Sequence, residues 1–405
     1  MWHITLAIET SCDDTSLALV SDEGSFFRCL AMVSYTQVMH DQYGGVVPEL
    51  ASRSHAEQII PVMQSLVTKA GYSDIASVMD AIEYISVTVS PWLPGSLMVG
   101  KTFGHMLATY YHKPFVPVNH LYGHVFSVLL EQEITDAQYP MVVLSVSGGH
   151  SDLYKVELQV LGSKFQVFPS QELVGKYIVT KLWGTRDDAV GEVFDKVARM
   201  LGGPYPWGKW VGEKAEEFRV QNSEFRIKDS ELEIRNNEWE NPRSSAGQVE
   251  GKREWDISCE ARQILSLLEQ CTYKKILLEK GSLDFSFSGM KSQTYQFLCD
   301  MAGLPRQSQD PDSLHEHLSE TQKWAIAYSF QETATDILIT KLQWAVEQTG
   351  AKSIAVVGWV SANIRLREKL QWLSDTLHIP FFLPMKFVYC TDNAAMIGVV
   401  GLLQN

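Results

Sequence analysis

Two histidines and one distant aspartate have the residue types and the spacing that can bind a metal ion. His120 and His124 are four positions apart, with Leu121, Tyr122 and Gly123 between them. Residues four apart lie on one side of an α-helix, with Cβ atoms roughly 6 Å apart, so both imidazoles can reach one ion. Asp392 would add a carboxylate. Such a set leaves coordination positions open for water or a substrate oxygen, which indicates catalysis.

The same three residues also have an ordinary explanation, which the sequence leaves open. Pairs of histidines at this spacing arise by chance, and an aspartate at the start of a helix can cap it without a metal ion. The segment after Asp392, residues 393–396, has the composition of a helix start. The choice between a metal site and this ordinary explanation therefore depends on the helices, strands and loops around the three residues.

Apolar patterning predicts the elements that position these side chains. Residues 4–8 and 17–20 are apolar runs that flank a polar segment, Glu9 to Ser16, and predict a β-hairpin with a polar tip. The acidic and hydroxyl groups of this tip suit a magnesium, phosphate or ribose contact, and a solvated turn explains them equally well. Further predictions are helices from Glu49 to Ala70 and from the segment 91–97 to about His112, and strands over 84–89, 116–118 and 141–146.

A glycine-containing loop follows the strand over 141–146. It consists of Ser147, Gly148, Gly149 and His150. Backbone amides in such a loop can approach an anion closely, because glycine has no side chain in the way. Strand, hairpin, helix and glycine-loop patterns recur in both halves of the chain, which favours α/β lobes that face each other across a cleft.

Length and composition limit the possible classes of protein. At 405 residues, with six cysteines but no CxxC pair, the chain is long enough for two or three lobes and fits neither a zinc ribbon nor a disulfide scaffold. No run of 18 or more apolar residues and no secretory leader pattern occurs, so we expect a soluble, cytoplasmic protein without a membrane segment.

The net charge of −14 argues against broad, nonspecific binding of nucleic acid. An RNA partner would need a local basic patch. The candidate RNA contacts are Arg53, Arg186, Lys196, Arg199 and Lys291. Scattered cations of this kind also occur as solvated surface residues, and that alternative stays open.

Residues from about 221 to 256 differ in composition from the rest of the chain. They are polar and lack apolar periodicity, and residues 223–229 are nearly repeated by residues 230–236. A short tandem duplication explains this pattern. We expect an inserted, mobile surface segment without a catalytic role.

Several motifs in a fixed order resemble one enzyme family, the tRNA N6-adenosine threonylcarbamoyltransferases, formerly called O-sialoglycoprotein endopeptidases. The motifs are residues 9–15 (ETSCDDT), 43–53 (YGGVVPELASR), the His120 pair, 147–150 (SGGH), 187–196 (DDAVGEVFDK), 285–291 (FSFSGMK) and 390–393 (CTDN). They extend over nearly the whole chain apart from the segment around 221–256.

The resemblance implies an actin-like, sugar-kinase-like (ASKHA) α/β fold with two lobes and a central cleft. We assign residues 1–117 to the N-terminal lobe and residues 118–405 to the C-terminal lobe, which would contain the metal and adenylate sites. The implied reaction moves a threonylcarbamoyl group from threonylcarbamoyl-AMP to N6 of adenosine 37, in tRNAs that read codons beginning with A. The implied partners are tRNA, a related subunit of the same fold and a small P-loop ATPase.

The resemblance also implies roles for individual residues. His120, His124 and Asp392 would hold one divalent metal ion, Fe2+ or Zn2+, and imidazole ligands suit both. The adenylate would be bound by Ser145, Val146, Ser147, Gly148, Gly149, Asp195, Gly208 and Asn363. Asp195 would contact ribose hydroxyls, although with Lys196 next to it a surface ion pair is an equal explanation.

Four tryptophans stand where the family carries glycine. They are Trp92, Trp183, Trp207 and Trp359. We expect backbone strain at these positions, because glycine is used where φ is positive, and we expect the indoles to fill ligand space. Our hypothesis is that the source reads UGA as glycine and that these codons were translated as tryptophan. If the indoles are real, the adenylate site is partly blocked and transferase activity is low.

Three other functions remain as alternatives. A zinc peptidase of the HExxH type needs a glutamate after the first histidine, whereas Leu121 follows His120. An ATP-dependent kinase would leave the histidine pair and Asp392 without a role, since phosphoryl transfer relies on magnesium held by oxygen ligands. A scaffold without catalytic activity, within a tRNA-modifying complex, would be compatible with the four tryptophans.

Overall fold

The structure is a computed structural model, and it describes residues 3–24, 26–43, 45–159, 170–204, 207–222, 259–275, 281–306 and 310–405. The predicted insertion at 221–256 lies outside these residues, apart from residues 221 and 222. None of the helices within the described ranges has the length and apolar character needed to cross a membrane.

The first sheet is built from β1 (His3–Glu9), β2 (Asp14–Asp22), β3 (Phe27–Thr36), β4 (Tyr84–Ser90) and β5 (Phe115–Asn119), in the order β3-β2-β1-β4-β5. β1 pairs with β2 in antiparallel and with β4 in parallel orientation. The predicted hairpin is therefore confirmed, and Glu9 lies opposite Ser16 at its end. β1 lies in the middle of the sheet.

Three helices follow the strands of the first sheet: α1 (Pro48–Lys69), α2 (Ile75–Ala81) and α3 (Pro94–Tyr111). The helices predicted over 49–70 and up to about His112 are confirmed. α1 and α3 both begin with proline, whose restricted φ suits the first helical turn. Their apolar faces form one core with β1, in which Leu6, Ile8 and Met63 are fully buried.

The second sheet repeats the strand order of the first. It contains β6 (Met141–Val146), β7 (Ser151–Leu158), β8 (Gln171–Val174), β9 (Tyr177–Gly184), β10 (Ser353–Val357) and β11 (Phe381–Phe382), in the order β11-β10-β6-β7-β9-β8. As in the first sheet, an antiparallel hairpin is followed by two strands that pair in parallel. The added edge strand is β8. These two mixed sheets with helices confirm the predicted α/β fold class.

The remaining α-helices of the described residues are α4 (His120–Phe126), α5 (Val190–Met200), α6 (Trp207–Gln221), α7 (Cys259–Gln270), α8 (Ser288–Ala302), α9 (Glu320–Thr349), α10 (Ile364–Leu377) and α11 (Ala394–Leu403). α11 is buried from Ala394 to Leu402. Its Gly398 lies against Val20, and a Cβ atom added to Gly123 of α4 would lie 2.9 Å from Ile397 of α11. Small residues thus let α11 pack closely against the first sheet and α4.

The chain divides into two compact units. The first consists of residues 1–192, 276–287 and 335–405 and contains both sheets, and the second consists of residues 193–275 and 288–334. Residues of each unit contact one another more than they contact residues of the other unit. The assignment of lobes to residues 1–117 and 118–405 stays a prediction.

Candidate metal centre and adjoining glycine loop

The histidine pair lies on the short helix α4. Asn119 caps this helix by accepting a hydrogen bond from the backbone N–H of Leu121 at 2.9 Å, so the helix begins at His120. The rings of His120 and His124 have centroids 4.8 Å apart and an interplanar angle of 85°. Both residues are 1% exposed. Helical spacing therefore brings both imidazoles to one buried place.

Asp392 lies in the turn before α11 and faces the two imidazoles. Its Oδ1 atom is 3.0 Å from Nε2 of His124 and 3.4 Å from Nε2 of His120. Asn393 caps α11 by accepting from the N–H of Met396 at 3.0 Å. The helix cap is thus Asn393, and the alternative in which Asp392 caps the helix does not apply.

The three side chains have a geometry that fits a divalent ion. His120, His124 and Asp392 each offer one ligand atom, and these atoms lie within 4.8 Å of one another. Four-coordinate zinc with bonds of 2.0–2.1 Å separates its ligand atoms by about 3.4 Å. The observed separations from Asp392 are close to that value. The donor set also has the nitrogen and oxygen ligands that iron and zinc accept.

The charges at this cluster are strongly coupled. Burial lowers the pKa of His120, but the neighbouring carboxylates of Asp392 and Glu9 outweigh it and raise this pKa to about 10. Burial likewise raises the pKa of Asp392, yet His120 and His124 hold it well below its usual range.

The predicted glycine loop joins β6 and β7 beside this cluster. Ser145 and Val146 end strand β6, and the loop closes through a hydrogen bond from the N–H of Ser147 to the carbonyl of His150 at 2.9 Å. The His150 ring is bonded to Oγ of Ser145 at 2.8 Å and to Oγ of Ser147 at 2.7 Å. Its centroid is 5.3 Å from that of His124. The loop and the histidine pair are therefore neighbours.

The other predicted adenylate residues lie in two places. Asn363 caps α10 through a bond from the N–H of Leu366 at 3.0 Å, and β10 before it pairs with β6, with Val357 opposite Ser145. Asp195 accepts from the N–H of Gly208 at 2.8 Å within the second compact unit. Whether all these residues bind one ligand stays a prediction.

Two of the unusual tryptophans contact the glycine loop. A Cβ atom added to Gly149 would lie 2.7 Å from Cη2 of Trp92, and one added to Gly148 would lie 3.7 Å from Nε1 of Trp359. The ring of Trp92 also lies 6.1 Å from each of the rings of His120 and His150. The indole of Trp92 thus occupies space between the loop and the histidine pair.

The expected backbone strain at the tryptophans is not found. Among the described residues other than glycine, positive φ angles occur at His112, Glu131 and His378. Trp92, Trp183 and Trp359 are not in this group, so that expectation was wrong for them. Trp183 lies on β9 with 47% of its surface exposed, and Trp207 begins α6. Positive φ occurs instead at the glycine before one of them, Gly358, where φ is +85°.

The five candidate tRNA contacts do not form one patch within a single unit. Arg53 pairs with Glu49 at 2.6 Å and Arg186 pairs with Asp284, both in the first unit. In the second unit Arg199 pairs with Asp312 at 3.1 Å. Lys196 and Lys291 also belong to the second unit, and each has an interaction partner. An RNA phosphate would have to compete with these carboxylates, and the role stays a prediction.

A cavity of about 260 Å³ adjoins Asp392, between strands β2 and β3 and the turn before α11. Its lining contains Asp14, Met32, Ser34, Thr36, Lys69, Val388, Thr391, Asp392 and Asn393. Burial raises the pKa of Asp14 to about 7, and Thr36 donates to its carboxylate at 2.5 Å. The polar hairpin tip therefore contributes one acid to this cavity.

Sequence reasoning missed two residues of the centre. Glu9 is buried, and its Oε2 atom is 3.0 Å from Nδ1 of His120. His150 is bonded to two serines, as described above. Glu9 could have been noticed as an acid that ends an apolar strand, where burial demands a partner. His150 follows the two glycines directly, but its ring direction depends on the hairpin.

The fold and this cluster define an α/β protein with a two-histidine, one-carboxylate centre beside a glycine loop. The family model described as tRNA N6-adenosine threonylcarbamoyltransferase matches residues 28–234 and 254–399. The chain therefore belongs to the tRNA N6-adenosine threonylcarbamoyltransferase family, which is a family of transferase enzymes.

Curated relatives of that name are similar over nearly the whole chain. The protein from Francisella philomiragia is 34% identical over 400 residues, which cover 98% of this chain and 93% of the relative. The protein from Moorella thermoacetica is 34% identical over 405 residues, with 98% and 91% covered. The predicted family is thus confirmed.

Similar solved structures include a glucokinase from Balamuthia mandrillaris in complex with glucose, with a TM-score of 0.41, 13% identity and coverage of 99% of this chain and 93% of that chain. Another is YeaZ from Pseudomonas aeruginosa, with a TM-score of 0.25, 17% identity and coverage of 44% and 66%. Likenesses of this size are too weak to support a conclusion about function.

Replacement of Trp92 and Trp359 by glycine should open the loop. We expect the double variant to bind a non-hydrolysable threonylcarbamoyl-adenylate analogue at least about tenfold more tightly, which corresponds to about 1.4 kcal/mol. Isothermal titration calorimetry measures the affinity. Trp372→Ala, which removes a 52% exposed indole from α10, is the control and should leave it unchanged. If the variant with all four tryptophans replaced by glycine binds the analogue no more tightly than the parent protein, the indoles do not block the adenylate site.

The gene decides whether the indoles are real. We expect UGA codons at positions 92, 183, 207 and 359. Sequencing of the gene tests for these codons. Peptides from the natural host should then contain glycine at the four positions. UGG codons there would rule out recoding.

Asp14 should make the stability of the fold depend on pH. Its folded pKa is raised, so the folded state keeps a proton that the unfolded state loses, and stability falls as pH rises from about 4 to about 7. The free energy of unfolding of Asp14→Asn, measured relative to that of the parent protein, should therefore be about 1–3 kcal/mol higher at pH 8 than at pH 5. Urea unfolding at both pH values measures this. If the variant and the parent differ by the same free energy of unfolding at pH 5 and at pH 8, Asp14 is ionised in the folded state at both pH values.

Proposed function

We propose that this protein transfers a threonylcarbamoyl group from threonylcarbamoyl-AMP to N6 of adenosine 37, in tRNAs that read codons beginning with A. Family membership supports the transferase class. The observation that carries the proposal is the meeting of His120, His124 and Asp392 next to the loop of residues 145–149. A centre with open coordination positions beside an anion-binding loop suits an acyl-phosphate donor.

The reaction places two demands on such a site. The exocyclic amine of adenine is a weak nucleophile, because its lone pair is delocalised into the ring, so the donor must be an activated mixed anhydride. A bond forms between N6 and the carbamoyl carbon, the bond from that carbon to the phosphate oxygen breaks, and N6 loses a proton. The site must stabilise negative charge on the attacked carbonyl and on the leaving phosphate.

A divalent ion, iron or zinc, would be held by His120, His124 and Asp392, and would supply Lewis-acid stabilisation of developing negative charge. For that, His120 has to lose the proton on Nε2, which faces Asp392, and keep the proton on Nδ1, which faces Glu9. Burial keeps His124 neutral by lowering its pKa, which suits a ligand. These residues would therefore both position the ion and compensate its charge.

The glycine loop would bind the adenylate. The backbone amides of Gly148 and Gly149 are suited to the phosphate, and Asp195 and Asn363 to the ribose and base side of the ligand. Ser147 holds the loop, because its Oγ atom accepts from the N–H of Gly149 at 3.3 Å. Water exclusion around the phosphate would come from the buried strand end, where Ser145 and Val146 are fully buried.

The proposed substrate and partners follow the same family relation. The tRNA would present an unpaired base of the anticodon loop, which proteins bind by stacking and local contacts, so an acidic protein can still act on it. A related subunit of the same fold and a small P-loop ATPase would assist, in the cytoplasm. A catalytically impaired scaffold is the second candidate, and the indole of Trp92 against Gly149 favours it.

Transfer onto unmodified tRNA tests the proposal. Metal-loaded protein, threonylcarbamoyl-AMP and tRNA should yield N6-threonylcarbamoyladenosine, which nucleoside mass spectrometry detects. His124→Ala should reduce the rate at least about 100-fold, because one of the three ligands that would hold the ion is lost. His112→Asn, at an exposed helix end with φ of +53°, is the matched histidine control and should leave the rate unchanged.

The outcomes separate the candidate functions. Zinc or iron bound at one per chain, with product formed, supports the transferase. Bound metal without product, in the protein and in the four-glycine variant alike and with the related subunit and the P-loop ATPase added, would support the scaffold. A product rate in His124→Ala equal to that of the parent protein would remove the metal centre from the reaction.

A further inference from the structure

Glu9 is a buried carboxylate at the end of the central strand β1. It is 1% exposed. Its Oε1 atom accepts from the backbone N–H of Ser11 at 2.6 Å, and its Oε2 atom accepts from Oγ1 of Thr88 at 2.6 Å. Burial of a carboxylate is costly, so this placement requires compensation. Nothing in the transfer reaction described above uses Glu9 itself.

The compensation comes from His120. Nδ1 of its ring is 3.0 Å from Oε2 of Glu9 and 3.1 Å from Oγ of Ser11, whereas Nε2 faces Asp392 at 3.4 Å. An ionised carboxylate can only accept hydrogen bonds, so the proton between the two groups belongs to Nδ1. With its proton on Nδ1, the ring presents the lone pair of Nε2 to the place where Asp392 and His124 meet.

The two histidines are not equivalent in this respect. Nδ1 of His124 is buried and has no hydrogen-bond partner among the described residues. Its orientation depends on the helix and on its contact with Asp392 at 3.0 Å. Of the two predicted ligands, His120 is the one whose ring is held from behind by a carboxylate.

The charges of the cluster also support a role of Glu9 behind His120. Glu9 and Asp392 place two carboxylates on opposite nitrogens of one imidazole. Their combined charge matches that of one divalent cation. Hydrogen bonds from the N–H of Ser11 and from Oγ1 of Thr88 occupy the two oxygens of Glu9. It is therefore placed to act on His120.

We infer that Glu9 is a positioning residue, which fixes the tautomer and the ring orientation of His120 and so sets the affinity of the centre for a divalent ion. Thr88 and Ser11 hold the carboxylate in place for this purpose. The inference rests on the proposed metal centre. Carboxylates behind ligand histidines act in this way in metalloproteins, and their loss costs about 10- to 100-fold in metal affinity.

Zinc affinity of purified full-length protein tests the inference. Glu9→Gln keeps the shape of the side chain but removes its charge and adds an N–H group that can donate to Nδ1. We expect zinc to bind about 10- to 100-fold more weakly, measured by competition with a chromophoric chelator. The matched control is Glu83→Gln, because Glu83 contacts Nδ1 of another histidine, His3, at 2.5 Å on the surface. The control should bind zinc like the parent protein.

Nitrogen-15 NMR of the histidine rings gives a second measurement that does not depend on a variant. In the zinc-loaded parent protein, His120 should carry its hydrogen on Nδ1. A hydrogen on Nε2 would overturn the inference even if Glu9→Gln failed to fold. In a folded Glu9→Gln protein measured without zinc, the His120 signal should shift toward a mixture of tautomers.

The failure of this inference can be distinguished from the failure of the proposed function. If the parent protein binds zinc, His124→Ala does not, and Glu9→Gln binds within twofold of the parent, only the role of Glu9 is wrong. If the parent protein itself binds neither zinc nor iron, the metal centre is wrong and the role of Glu9 is wrong with it.

Discussion

One imidazole shared by two carboxylates, the buried Glu9 and the partly exposed Asp392, is the constraint on which the rest of this structure depends. Glu9 and Asp392 both face His120, and a buried charge without a partner costs several kcal/mol. The fold must therefore bring the end of β1, the start of α4 and the turn before α11 to one place at once. A protein that lost any one of these placements would leave charge buried without compensation.

The repeated sheet explains how this placement is achieved. β1–β2 and β6–β7 are equivalent hairpins in the two sheets, because each begins its sheet and has a parallel neighbour on its other side. The first hairpin turn holds Glu9 and Ser11 against His120, and the second forms the glycine loop. One structural unit has thus taken two chemical roles, a ligand support and a candidate anion site. α11 packs against the first sheet through small residues and sets the depth of Asp392.

Membership of the family and an open binding site are separate properties of this chain. Identity of 34% over 98% of the chain establishes the family, since the fold depends on many buried positions. Access to the glycine loop depends on only a few positions, above all Trp92 and Trp359. Glycine at such positions leaves space for a ligand, and an indole fills it. Similarity over the whole chain therefore does not by itself determine whether the glycine loop is open to a ligand.

Local patterns in the sequence were sufficient for several features. The first hairpin, the helices α1 and α3 and the strand β6 follow from apolar periodicity, which is a property of neighbouring residues. The spacing of His120 and His124 likewise placed both rings on one side of a helix. The order of motifs gave the family. Each of these conclusions needs only residues that are close in sequence or a comparison of motifs.

Other features depend on contacts between distant parts of the chain. Asp392 reaches His124 across 268 residues, and Glu9 reaches His120 across 111. The packing of Trp92 on Gly149 and the role of Asn393 as the helix cap were equally outside the range of local patterns. Periodicity describes which face of an element is buried but not which element covers it. The sequence by itself determined the elements, the family and the candidate ligands, and only the tertiary structure decided which side chains meet, because that choice is made by packing between sheets and helices.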